Sequence, residues 1–220
     1  MKATIKPRIK ICCISSIAEA RLAIECGADA LGLVAQMPSG PGVISDSQIE
    51  TIAKTIPPAI ASFLLTSETD PQAIIRHYNK VNTTTLQLVD ELAITSYKTI
   101  RQALPHVKLV QVIHVIDDNS IEQSIAVSAH VDAILLDSGN PNLQIKELGG
   151  TGRTHNWELS KKIRETISIP LFLAGGISAN NIQRAIQYVQ PFGIDLCSSV
   201  RSAGSLDKVK LITLFKNSKK

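Results

Sequence analysis

Aromatic residues are scarce in this chain: one Trp, three Tyr and four Phe among 220 residues. So sparse a set offers few platforms for stacking single-stranded bases. Its 23 basic and 19 acidic residues leave a net charge of only +4, and the basic ones are scattered apart from a tail of Lys216, Lys219 and Lys220. A nucleic-acid footprint gathers its positive charge on one face or stripe, so no nucleic-acid partner is expected. No stretch approaches the ~18–20 consecutive apolar residues of a membrane helix. The first eight residues hold no apolar core followed by a cleavage site. Together these absences point to a cytoplasmic protein without a membrane partner.

Cysteine is also rare. Cys12, Cys13, Cys26 and Cys197 match neither a disulfide framework nor the ligand spacing of a zinc site, so no metal is expected. Neighbouring residues on an extended chain point to opposite faces, which makes Cys12 and Cys13 a poor disulfide pair. No G-x-G-x-x-G turn follows the first apolar run, which removes the dinucleotide fingerprint. No linker rich in proline, glycine or serine divides the chain. With 44% apolar and 19% charged residues, the composition is that of a globular protein rather than a disordered one.

What is present is an alternation. Apolar, β-rich runs span residues 8–14, 30–34, 59–65, 85–89, 108–115, 132–137, 170–173 and 193–197. Each precedes an amphipathic stretch: 17–26, 47–55, 71–81, 94–104, 121–129, 157–166, 179–188 and 206–215. Strand runs such as Ala133-Ile134-Leu135-Leu136 are apolar on both faces, as parallel strands covered on both sides must be. Ser178 reads as the cap of the seventh helix, and Thr69 or Asp70 ahead of Pro71 as the start of the third. Gly27 reads as a helix stop. Eight strand–helix units predict a parallel sheet, closed as a single-domain (β/α)8 TIM barrel over residues 1–220.

Active sites of such barrels lie at the C-terminal ends of the strands, and that selects the residues to weigh. The seventh run ends in Gly175-Gly176 and the eighth in Asp195-Leu196-Cys197-Ser198-Ser199. Glycines that admit close backbone approach, beside serine donors, suit a phosphate. Asp137 closes an apolar run, where burial would raise its pKa and fit it for general acid work. Lys10 and Cys12 share one strand face, and a nearby ammonium favours a thiolate. Cys12 as a packed thiol, and Lys10 as the partner of a carboxylate lower in the barrel, remain open alternatives. His114, at the end of the fifth run, is a further candidate at the mouth.

At these residues the chain resembles the phosphoribosylanthranilate isomerase family. Lys10-Ile11-Cys12-Cys13-Ile14 looks like the family's K-I-C-G-I, and Gly27-Ala28-Asp29-Ala30-Leu31-Gly32-Leu33 like G-A-D-A-L-G-F. Leu135-Leu136-Asp137-Ser138, Gly149-Gly150-Thr151-Gly152-Arg153 and Leu173-Ala174-Gly175-Gly176-Ile177 follow in family order. Asp195-Leu196-Cys197-Ser198-Ser199-Val200 then resembles V-D-V-S-S-G-V. The resemblance implies an Amadori isomerase of tryptophan biosynthesis that needs no cofactor. It implies Asp137 as general acid and Cys12 as base, with Gly175, Gly176, Ser198 and Ser199 on the substrate phosphate. Gly150, Thr151, Gly152, Arg153 and Asp195 would make further substrate contacts. The expected partner is a small phosphorylated substrate, and the expected state a monomer or homodimer.

Departures from the family pattern cluster on one side. Cys13 stands where the family has glycine, and Gly42 where an arginine would clamp the anthranilate carboxylate. Val89 replaces a histidine, and Arg201 replaces a glutamate. The chain thus reads as an isomerase whose carboxylate anchor has moved to Arg153 or Arg201, with Gly42→Arg expected to restore part of the binding. The alternatives are a paralogue acting on another phosphorylated sugar-amine, or a non-catalytic barrel that binds a phosphometabolite.

Overall fold

A computed structural model describes residues 6–150, 152 and 154–219. Eight parallel strands close into a barrel. They are β1 (Arg8–Ile11), β2 (Ala30–Val34), β3 (Ala61–Thr66), β4 (Thr85–Leu88), β5 (Lys108–His114), β6 (Ala133–Asp137), β7 (Leu171–Leu173) and β8 (Gly193–Leu196). β8 pairs back onto β1, with Lys10 opposite Asp195. The helices are α1 (Ile17–Cys26), α2 (Asp46–Ala53), α3 (Pro71–Val81), α4 (Ile94–Ala103), α5 (Asn119–Ser128), α6 (Trp157–Thr166), α7 (Ile182–Val189) and α8 (Lys208–Asn217). Among the described residues no helix is long and apolar enough to cross a membrane.

Period-two alternation sorts the strand side chains into two cores. Ile11, Leu31, Leu33, Leu64, Leu86 and Ile134 point outward and pack beneath the helices. Ala30, Val34, Phe63, Leu65, Val110, Val112, Leu135 and Phe172 point inward and fill the barrel. Phe63 and Phe172 meet edge to face inside it, with ring centroids 6.0 Å apart. Each such buried aliphatic or aromatic side chain contributes roughly 1.5–3 kcal/mol. The barrel is therefore a packed scaffold, and space for a ligand remains only at its ends.

Helix caps follow the sequence closely. Ser16 accepts from Glu19 N–H ahead of α1, and Gly27 ends that helix in a left-handed conformation. Asp70 accepts from Ala73 N–H ahead of Pro71. Most boundaries fall within one or two residues of expectation, and the two largest shifts, of three residues, are at β1 and α7. β1 stops at Ile11, because Cys13 turns left-handed with φ 63°. α7 opens at Ile182 rather than 179. The Asn181 side chain accepts from Ser178 N–H and donates to Gly176 O, which locks the intervening residues into a turn. Ser178 therefore does not cap the helix. After β8 the chain makes a 3-10 turn (Ser198–Val200) and a small hairpin, β9 (Arg201–Ser202) and β10 (Ser205–Leu206), which hydropathy did not indicate.

Candidate active site

The C-terminal strand ends surround one cleft with about 680 Å³ of space, its open mouth included. Cys12, Cys13, Asp137, Gly150, Gly152, Gly175, Gly176, Asp195, Ser198 and Ser199 all line it. These ten residues, far apart in the chain, thus meet at one mouth. Thr151 and Arg153 lie outside the described residues. An apolar wall of Val34, Met37, Leu65, Val89 and Leu148 completes the cleft. Three buried polar atoms that face no partner among the described residues, Gln87 Oε1, Asp195 Oδ1 and Ser199 Oγ, belong to residues lining it. Buried polar atoms are rarely left unpaired, so a ligand that completes them is the natural occupant. Gln87 was not singled out from sequence, although a glutamine within an apolar strand run was the available signal.

Lys10 settles one open alternative. It is fully buried, and its Nζ lies 3.0 Å from Asp195 Oδ2. Burial alone would pull the ammonium down, but the facing Asp195 carboxylate and then Cys12 hold it above the ordinary lysine value. Asp195 is thus the counter-ion of Lys10 as well as a lining residue. Cys12 shares the same space: a Cβ on Gly32 would stand 2.8 Å from Cys12 Sγ and 3.1 Å from Lys10 Nζ. The thiol of Cys12 is lowered, first by the hydrogen bond from Cys13 and then, against the cost of burial, by the Lys10 charge. Cys13 moves the opposite way. Its hydrogen bond with Cys12, then that with Cys197, and burial hold its proton on; the Cys197 thiol donates to Cys13 Sγ at 2.7 Å. The two adjacent thiols do not point to opposite faces, since the left-handed turn at Cys13 brings both to the cleft.

That turn also overturns the expectation for Gly42. The backbone there has φ +79°, and an added Cβ would sit 2.4 Å from Cys13 Cβ and 2.9 Å from Cys13 Cα. The cysteine at 13 and the glycine at 42 are a coupled exchange of bulk, and the loop has no room for arginine. Gly42→Arg is therefore expected to lose stability, by about 1–3 kcal/mol for the overpacking, and to lower activity rather than restore it. Melting curves and kcat/KM for Gly42→Arg, alone and with Cys13→Gly, check this. The second substitution removes two of the three closest contacts and is expected to recover part of the loss.

Asp137 ends β6 with its carboxylate turned into the cleft. Burial pushes its pKa from 3.8 up to about 6, and the backbone hydrogen bond from Ser138 only partly offsets this. Gly149 closes over it, where any Cβ would stand 2.8 Å from Asp137 Oδ2. His114 lies elsewhere. Its Nε2 sits 3.1 Å from Val89 O, burial lowers its pKa, and it lines a neighbouring groove, not this cleft. On the opposite rim Gly175 and Gly176 both turn left-handed. The main-chain N–H groups of Gly175, Gly176, Ser198 and Ser199 donate to no partner among the described residues, so two adjacent loops present free donors to one end of the cleft.

The sequence matches the family model of N-(5'-phosphoribosyl)anthranilate isomerase over residues 9–217. The chain belongs to this family. A relative named N-(5'-phosphoribosyl)anthranilate isomerase 2, from Methanosarcina mazei, is 32% identical over 214 residues, covering 96% of this chain and 94% of the relative. The crystal structure of phosphoribosyl anthranilate isomerase from Thermotoga maritima superposes with a TM-score of 0.83 at 28% identity, covering 97% of this chain and 98% of that one. A second isomerase structure, in complex with reduced 1-(o-carboxyphenylamino)-1-deoxyribulose 5-phosphate, gives a TM-score of 0.80 at 26% identity, covering 97% and 98% of the two chains. Within the isomerase family pattern, Arg201 was a candidate for the displaced carboxylate anchor, and its surroundings argue otherwise. Its guanidinium is already engaged, 2.8 Å and 3.1 Å from the two carboxylate oxygens of Glu19, and it does not line the cleft.

Proposed function

We propose that the protein catalyses the Amadori rearrangement of N-(5'-phosphoribosyl)anthranilate to its 1-deoxyribulose 5-phosphate isomer, a cytoplasmic step of tryptophan biosynthesis. The observation that carries this reading is a carboxyl group raised toward neutrality and a thiol lowered toward it, lining the same cleft. That is the pairing a proton-transfer isomerisation needs. Asp137, protonated, gives its proton to the furanose ring oxygen, and the C1'–O bond breaks to leave an iminium. The Cys12 thiolate then takes the C2' proton, and the electron pair neutralises the nitrogen to give an enolamine. Tautomerisation of the enol to the ketone completes the reaction. Oxidation at C2' balances reduction at C1', so no external electron acceptor is consumed.

Lys10 stabilises the thiolate, and Asp195 keeps Lys10 charged. The free N–H groups at Gly175-Gly176 and Ser198-Ser199 hold the 5'-phosphate, which supplies binding energy away from the reacting carbon. The apolar wall of Val34, Met37, Leu65, Val89 and Leu148 receives the anthranilate ring. With Arg201 committed to Glu19, its carboxylate is assigned to Arg153. Arg153→Ala is expected to raise KM about 10–100-fold with a smaller effect on kcat, as loss of a charge-assisted hydrogen bond would. An unchanged KM would place the anchor elsewhere. The reaction itself is tested by growth of a tryptophan auxotroph that lacks this isomerase. The wild-type gene is expected to restore growth and its Asp137→Asn form to fail.

A further inference from the structure

Arg201 and Glu19 lie far apart in sequence, yet they form the most heavily bonded charged pair near the cleft. The Glu19 carboxylate accepts from Ser15 N–H at 2.9 Å, Ser15 Oγ at 3.0 Å and Leu206 N–H at 2.8 Å. From the other side it takes the Arg201 guanidinium. The rest of that guanidinium turns to backbone oxygens. Nη1 donates to Gly204 O at 3.0 Å, and Nη2 to the carbonyls of Cys12, at 3.4 Å, and Cys13. Both side chains are nearly buried, at 9% and 12% exposure, so bulk water competes little with these bonds.

The carbonyls it grips belong to a left-handed bend, made without a glycine, directly beside the reacting thiol. Cys13 has φ 63°, a conformation that a residue with a Cβ adopts only under constraint. The strands beside β1 hold the turn only through its N–H groups, Cys12 to Leu196 O and Ile14 to Gly32 O, and among the described residues no backbone N–H reaches the carbonyls of Cys12 and Cys13. The planar fork bonds both Glu19 oxygens and three carbonyls at once, more partners than the three N–H donors of an ammonium can reach.

We propose that Arg201, oriented by Glu19, is a positioning residue that holds the left-handed Cys12–Cys13 turn and thereby aims the Cys12 sulfur. The inference rests on the reading of Cys12 as the base. It assigns a linked purpose to two departures from the family pattern. Cysteine at 13 supplies the thiol that bonds Cys12, and arginine at 201 supplies the restraint that glycine at 13 would not need.

The test compares Arg201→Lys with wild type, each with Cys13 intact and with Cys13→Gly. Lysine keeps the charge opposite Glu19, so Arg201→Lys is expected to fold, as read by circular dichroism and melting temperature. Its kcat is expected to fall about 10–100-fold, the scale of loss when a reacting group is displaced by about 1 Å, with KM little changed. In the Cys13→Gly background the same substitution is expected to cost severalfold less, because glycine takes the left-handed turn unaided. Equal losses in both backgrounds, or a wild-type kcat in Arg201→Lys, would overturn the proposal. A merely structural role would lower the melting temperature without that dependence on residue 13. A second readout needs no substrate: alkylation of Cys12 by iodoacetamide, located by fragment-ion mass spectrometry, is expected to slow in Arg201→Lys, and an unchanged rate counts against the clamp. Loss of activity in Cys12→Ser tests the base assignment separately, so the two failures are distinguishable.

Discussion

Asp137→Asn is expected to lower kcat by about 10²–10⁴-fold, the usual contribution of a positioned proton donor, and at the same time to make the protein more stable above neutral pH. The second effect follows from the same burial as the first. In the fold Asp137 holds its proton up to about pH 6, whereas its ordinary value is 3.8. Below pH ~4 the group is neutral in both states and costs nothing. As pH rises through 6 the native state is forced to hold a buried carboxylate, and stability falls by an amount approaching 3 kcal/mol at most. Asparagine has no charge to bury. The melting temperature of Asp137→Asn should therefore exceed that of wild type at pH 8, and the difference should shrink as the pH is lowered toward 4. An asparagine variant less stable than wild type at pH 8 would show that the carboxylate is satisfied in the fold and is not poised as an acid. Trading stability for a strained functional group is a common cost of catalysis.

Cys12→Ser is expected to be the other severe variant, with kcat down by a similar ~10²–10⁴-fold. Serine fills nearly the same space, so the packing against Gly32 and Lys10 survives, but its hydroxyl supplies no anion near neutral pH. Cys13 cannot substitute, although its thiol lines the same cleft, because its hydrogen bonds with Cys12 and Cys197 and its burial raise it and keep it protonated. Without the Cys12 thiolate, Lys10 keeps only Asp195 as its counter-charge. The variant should therefore stay folded and bind the product phosphate with little change while losing turnover. If Cys12→Ser instead lost phosphate binding with its activity, a folding defect would explain both.

Much of this site was legible in the sequence, and the parts that were not share a physical cause. Strand and helix alternation reports burial, and burial is set by hydropathy pattern, so eight barrel strands and the bounds of α1, α3 and α6 could be read directly. The mouth residues followed, because a parallel barrel brings Cys12, Asp137, Gly175 and Ser198 to one end whatever their separation in the chain. Other features escaped. A left-handed cysteine at 13 is invisible to residue propensities, which assign that backbone to glycine, so β1 was read too long. The start of α7 depended on one Asn181 side chain that bonds Ser178 and Gly176, a local closure that competes with a helix cap. The exchange of bulk between Cys13 and Gly42 and the pairing of Glu19 with Arg201 are contacts across the fold, and no local pattern carries them. Gly42→Arg looked like a repair in sequence only because each departure was judged alone.

The most direct test of the account is the kcat/KM of the purified protein on N-(5'-phosphoribosyl)anthranilate, measured beside Cys12→Ser. The account predicts wild-type turnover in the ordinary enzyme range, about 10⁴ M⁻¹s⁻¹ or above, and a loss of at least roughly 100-fold in the serine variant. No detectable turnover by the wild type, or a serine variant that matches it, would contradict the assignment of Cys12 and Asp137 as the acid–base pair of this isomerisation.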